Sequence, residues 1–233
     1  MIPMFDPLYL MLMAPALILA LVAQFFTKAT FKKYSQVGSA RGMTGAEAAH
    51  YMLEQRGVNN VEIEQVQGFL SDHYDPRSRT LRLSPDVFNG RSLSAIGVAC
   101  HEAGHALQHA SGYAMLSLRS ALVPITSFSS SFSYVIIMAG FFMNAPKLVG
   151  IGALLFVGAV VFSLVTLPVE WDASARAKVA MVESGIVLAS EAKYSGRVLN
   201  AAFLTYVASA VSALVTLLYY LMRAGLLGGN QRD

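Results

Sequence analysis

Charge is what this sequence has least of. Only 13% of its 233 residues are Asp, Glu, Lys or Arg, about half the roughly 25% of a soluble globular domain. With 55% of residues hydrophobic and a mean hydropathy of +0.52, the apolar side chains are too many for a single water-soluble core of this size. An ordinary cytosolic globule is excluded. Cys100 is the only cysteine, which excludes a disulfide scaffold and makes that thiol a small core residue. The net charge of +3 is too weak to argue for nucleic acid. No Lys or Arg precedes residue 28, so the first apolar run lacks the basic flank of a cleaved signal peptide and reads as a retained anchor. The apolar runs themselves contain almost no ionisable residues, which argues against a transporter with a charged substrate path.

Four runs are long enough to cross a bilayer, which takes about 20 mainly apolar residues. They cover residues 8–26, 121–143, 148–169 and 201–222. Lys28, Lys32 and Lys33 follow the first run directly, so the positive-inside rule puts its C-terminal end in the cytoplasm and the amino terminus outside. Alternation then places residues 28–120 and 170–200 inside, joined by a transmembrane hairpin over 121–169. Of all the Lys and Arg residues, only Lys147, Arg223 and Arg232 fall on the outer side.

Between the first two spans lies a water-facing stretch. Thr44 and Glu47 have capping-box spacing and Gly57 supplies a stop, predicting a helix over 45–56. Val61-Glu62-Ile63-Glu64 alternates as a half-buried strand. The segments 71–74 and 80–83 flank Asp75-Pro76-Arg77-Ser78, a turn signal that predicts a β-hairpin. Ser92 or Ser94 can cap a further helix with Ile96, Ala99, Ala103, Leu107 and Ala110 on its inner stripe. The hydroxyl-rich patch 126–133 inside the second span reads as close helix packing, with a polar intramembrane cavity as the alternative.

That further helix contains His101-Glu102-Ala103-Gly104-His105. Residues four apart stand one above the other about 6 Å along a helix, so both imidazoles can meet one ion. Glu102, turned about 100° from His101, can reach a metal-bound water as general base without being a ligand. A third ligand is needed. His109 lies a further turn along and cannot reach the same ion, which leaves it a polar face residue, and His50 reads as a surface residue. Glu170, where the third span ends, is favoured, because the two intervening spans return it to the side that carries the histidines. The plainer reading of that segment is an interfacial cap with Trp171 at headgroup depth; Asp172, about 200° around the helix from Glu170, is the alternative ligand.

With these residues in place, the sequence resembles the bacterial YugP-like membrane neutral zinc metallopeptidases, similar in plan to the HtpX and CAAX prenyl endopeptidases. The resemblance runs through 70–77, Leu81-Arg82-Leu83-Ser84, the HEAGH helix, Glu170-x-x-Ala173, Leu199-Asn200-Ala201-Ala202 and Thr205-Tyr206-Val207-Ala208. It implies a mainly α membrane protein with about four transmembrane helices and a small cytoplasmic α+β zincin-like domain. It implies Zn2+ held by His101, His105 and Glu170, with Glu102 catalytic. The HtpX-like plan carries an Asp four residues after the ligand Glu; here that position is Ser174, and Asp172 or Asp72 could support a ligand histidine instead.

His73, on the predicted hairpin, could stabilise an oxyanion or pair with a ligand, against the default of a surface histidine, and its strand edge could hold substrate by β-addition. Arg197 and Asn200 could contact a tetrahedral intermediate, although Arg197 also reads as a plain cytoplasmic anchor. The function expected is a zinc endopeptidase of the inner membrane, acting at the cytoplasmic face on protein or peptide substrates, with membrane-protein partners or a homo-oligomer possible. The alternative is a non-catalytic scaffold with structural zinc; three good ligands plus a Glu in the base position favour catalysis.

Overall fold

The computed structural model describes residues 6–68 and 71–227; Leu70 and Arg232 lie outside them. The fold is mainly helical with one small sheet. Among the described residues, four helices are long and apolar enough to cross a membrane: α1 (Pro7–Tyr34), α5 (Ala114–Phe142), α6 (Pro146–Glu183) and α7 (Ala189–Arg223). Each outlasts the apolar run that announces it. At 1.5 Å per residue α6 is about 57 Å long, against roughly 30 Å of hydrocarbon, so a large part of it lies beyond what a bilayer needs.

The chain divides into two compact units, residues 1–23, 118–167 and 205–233 forming one and residues 24–117 and 168–204 the other. In the first, Ile137, Phe141, Val149 and Tyr219 make a small buried cluster, and Tyr219 donates a hydrogen bond to the buried Asp6 carboxylate at 2.9 Å. The hydroxyl-rich patch serves packing there. Ser130 and Ser131 bond carbonyls one turn back on α5, and Ser133 reaches across to the Gly152 carbonyl of α6. Phe128 and Leu154 stay exposed, side chains that a bilayer would cover.

The second unit holds the sheet, the short helices and the larger core. Helix α2 (Gly45–Gln55) starts in a complete capping box, with Thr44 accepting from the Glu47 amide and the Glu47 carboxylate accepting from that of Thr44. Strands β1 (Glu62–Gln65), β2 (His73–Asp75) and β3 (Thr80–Leu83) lie in the order β1-β3-β2. The β2–β3 hairpin is antiparallel across the expected turn, whereas β1 pairs with β3 in parallel, a crossover that strand periodicity does not reveal. A helical turn, α3 (Pro85–Phe88), precedes α4 (Leu93–Ala110), which Ser92 caps by accepting from the Ala95 amide.

Leu81 and Leu83 of β3, Met52 and Leu53 of α2, Ile96, Ala99, Cys100 and Ala103 of α4, and Ala177, Ala180 and Met181 of α6 share one buried cluster. Burial raises the Cys100 pKa, so the thiol stays protonated and inert.

Candidate metal centre

Two helices of the second unit build the site. Small residues let them approach closely: an added Cβ on Gly104 would sit 2.5 Å from the Ala173 carbonyl oxygen, so only glycine permits this contact between α4 and α6. The approach brings His101 and His105 of α4 against Glu170 of α6. Glu170 Oε2 lies 3.1 Å from His101 Nε2 and 3.5 Å from His105 Nε2, and the three ligand atoms all fall within 4.8 Å of one another. The imidazole rings meet edge to face, their centroids 4.8 Å apart.

The donor set suits zinc. Four-coordinate zinc with arms of about 2.0 Å has ligand atoms about 3.3 Å apart along the tetrahedron edge, and the two nitrogen–oxygen separations bracket that value. Both histidines turn Nε2 inward and engage Nδ1 elsewhere: His101 Nδ1 meets Ser174 Oγ at 3.1 Å and His105 Nδ1 meets Gln108 Oε1 at 3.0 Å. Two imidazoles and one carboxylate, with no fourth protein donor in the cluster among the described residues, match the three-ligand pattern of catalytic rather than structural zinc.

The electrostatics favour a cation too. Burial pushes the Glu170 carboxyl up, but hydrogen bonds and positive charge from His101 and His105 outweigh it and hold the group below the ordinary carboxylate range. Burial likewise favours a neutral His105, and the Glu170 carboxylate, aided by Glu102, reverses that preference and raises its pKa. Glu102 is buried beside the centre without joining the ligand cluster.

The other sequence expectations separate here. Ser174, four residues after Glu170, itself contacts His101. Neither Asp172 nor Asp72 takes that place: Asp172 accepts from Gln108 and Arg176, and Asp72 accepts from the Ser84 amide and hydroxyl. His109 accepts or donates with the Tyr74 hydroxyl at 2.8 Å.

Strand register places His73. Tyr74 pairs with Leu81, a core residue, and His73 pairs with Arg82 on the other face, where Arg82 meets Glu64 and Asp75. His73 is exposed, its Nδ1 2.8 Å from the Ser71 carbonyl oxygen. The structure does not bring it to the three ligands. Arg197 bonds the Tyr34 hydroxyl and Asn200 accepts from Lys178; neither belongs to the cluster. Gln108 is the residue that the motif left unnoticed, and its spacing of three from His105 on one helix is the signal that could have found it.

Comparison with known proteins agrees with the geometry. Residues 9–225 match the model of a family described as "Putative neutral zinc metallopeptidase". The chain is 45% identical over 215 residues to the "Putative membrane protease YugP" of Bacillus subtilis (strain 168), covering 92% of this chain and 96% of that relative. No solved structure matches. With the family model covering nearly the whole chain, this protein belongs to that neutral zinc metallopeptidase family.

Proposed function

We propose that the protein is a membrane-anchored zinc endopeptidase that hydrolyses peptide bonds of protein substrates at the cytoplasmic face of the inner membrane. The observation that carries this reading is the convergence of His101, His105 and Glu170 at hydrogen-bonding distance with a buried carboxylate, Glu102, adjacent to one ligand and outside the cluster. The histidines and Glu170 would hold the zinc. When bound, the metal supplies a Lewis acid and lets water act as a nucleophile near neutral pH. Glu102 takes the proton of the attacking water and passes it to the leaving amine nitrogen. Its burial keeps bulk water from competing for that proton and strengthens its electrostatic interactions.

The sidedness follows from the charge pattern, since Lys28, Lys32 and Lys33 flank the first span and the second and third spans form an out-and-back pair ahead of Glu170. Such a site acts on chains that reach the membrane surface from the cytoplasm.

Glu102→Gln tests the reading, because it keeps side-chain shape and leaves every ligand in place. In detergent-solubilised protein offered an unfolded protein substrate, zinc content and helix content stay at wild-type values while cleavage falls by roughly 10²–10⁴-fold, and a chelator abolishes the wild-type activity. Undiminished cleavage by Glu102→Gln would overturn the mechanism. Stoichiometric zinc with no cleavage by the wild type would instead make this a structural site in a scaffold.

A further inference from the structure

Gln108 lies one turn beyond His105 on α4 and is completely buried. Its amide has only one possible orientation. One end faces the Val169 carbonyl oxygen and the Asp172 carboxylate, each at 2.8 Å. A carbonyl oxygen can only accept, and Asp172 is held as an acceptor by Arg176 Nε at 2.6 Å on the same oxygen. That end must therefore be the NH2 group, which leaves Oε1 against His105 Nδ1 at 3.0 Å. An amide oxygen also only accepts, so Nδ1 carries a hydrogen and the free lone pair of a neutral His105 sits on Nε2. Nε2 is the atom that faces Glu170.

The same side chain grips the other helix. Val169 and Asp172 flank Glu170 on α6, so Gln108 joins a ligand of α4 to the turn of α6 that presents the carboxylate. Ser174 has no comparable hold on His101, because a hydroxyl can donate or accept and so imposes no single pattern on the ring.

We propose that Gln108 is a positioning residue of the centre: it fixes His105 with Nε2 available to the metal and sets the spacing between the two ligand-bearing helices. The proposal rests on the reading that His101, His105 and Glu170 hold zinc. Partners that orient a ligand histidine typically contribute 10–100-fold to metal affinity, and a buried amide meeting three partners at once has no slack for the ring to turn.

The test compares full-chain wild type with Gln108→Leu and Gln108→Met, both close to glutamine in volume and unable to bridge the helices. Zinc affinity is read by competition with a chelating dye, the ligand field by the visible spectrum after cobalt replacement, and folding by circular dichroism of the metal-free protein. Both variants are expected to keep the wild-type helix content, to bind zinc 10–100-fold more weakly and to shift the cobalt bands, which general loosening of the fold would not do selectively. Wild-type affinity and spectrum in a folded variant would overturn the proposal. Failure of both variants to fold would overturn it as well, by making Gln108 a packing residue. A wild type that holds no zinc would sink the underlying site reading, a result distinguishable from zinc held equally by all three proteins.

Discussion

At the scale of single residues, the site depends on how near α4 comes to α6. Gly104 sets that limit, since a methyl group there would meet the Ala173 carbonyl oxygen at 2.5 Å and its carbonyl carbon at 3.2 Å, and backbone atoms cannot swing aside as a side-chain tip can. Gly104→Ala must then push the helices apart. Overpacking of this kind costs about 1–3 kcal/mol, and here it also moves Glu170 away from the histidines. Gly104→Ala is expected to lower the melting temperature and to weaken zinc binding together, as read by thermal unfolding and dye competition. Wild-type zinc affinity in this variant would show that the ligand spacing does not depend on that contact.

Those residue roles divide by how local their causes are. The convergence of His101 and His105 was legible because one helix turn supplies its geometry. Glu170 was singled out only through the expected topology, as a residue on the returning end of the proposed hairpin, and the structure sets it beside the two histidines. Gln108 carries a local signal only for its contact with His105, three residues away; its grip on α6 and the contact of Ser174 with His101 join residues more than 60 apart in sequence, and helix periodicity carries no trace of either. His73 marks the same boundary, for its face of the sheet follows from the pairing with Arg82, which a hairpin signal does not settle.

At the scale of elements, local chemistry decides where helices begin and tertiary packing decides how far they run. Thr44 with Glu47 and Ser92 are caps whose hydrogen bonds form as the sequence indicates. The lengths of α6 and α7 exceed the apolar runs because packing continues beyond those runs: Gly104 of α4 lies against Ala173 of α6 and Gly97 of α4 against Ser195 of α7, and Ala173, Ala177 and Ala180 of α6 are buried. The parallel β1–β3 pairing has no local signature for the same reason. Since α4 carries two ligands, its start bears on the site. Ser92→Ala leaves the Ala95 amide without its side-chain acceptor and is expected to cost about 1 kcal/mol. The cap is more than three turns from His105, so the loss should appear as a lower melting temperature with unchanged zinc stoichiometry. Loss of zinc along with stability would mean that the first turn of α4 and the ligand turn unfold as one unit.

At the scale of the whole molecule, the pairing of Glu170 with the histidines and the charge asymmetry make one demand on topology. Two apolar runs, 121–143 and 148–169, separate His105 from Glu170, and an even number of crossings is what returns the chain to its starting side. Single cysteines can read this directly, because the only native thiol, Cys100, is buried and held protonated. Asn59 lies between α2 and β1, Met143 between α5 and α6, and Ser190 in the first turn of α7, and all three are exposed. In a Cys100→Ala background, Asn59→Cys and Ser190→Cys should react with a membrane-impermeant maleimide only after cells are opened, and Met143→Cys should react in intact cells. If Met143→Cys and Ser190→Cys label from the same side, α5 and α6 do not form an out-and-back pair. The cytoplasmic assignment would then fall, whereas the contact between Glu170 and the two histidines, which rests on the packing of α4 against α6, would stand. Labelling of all three sites only in opened cells would separate these claims further, since it would leave α5 and α6 as apolar helices that do not cross the bilayer despite their length.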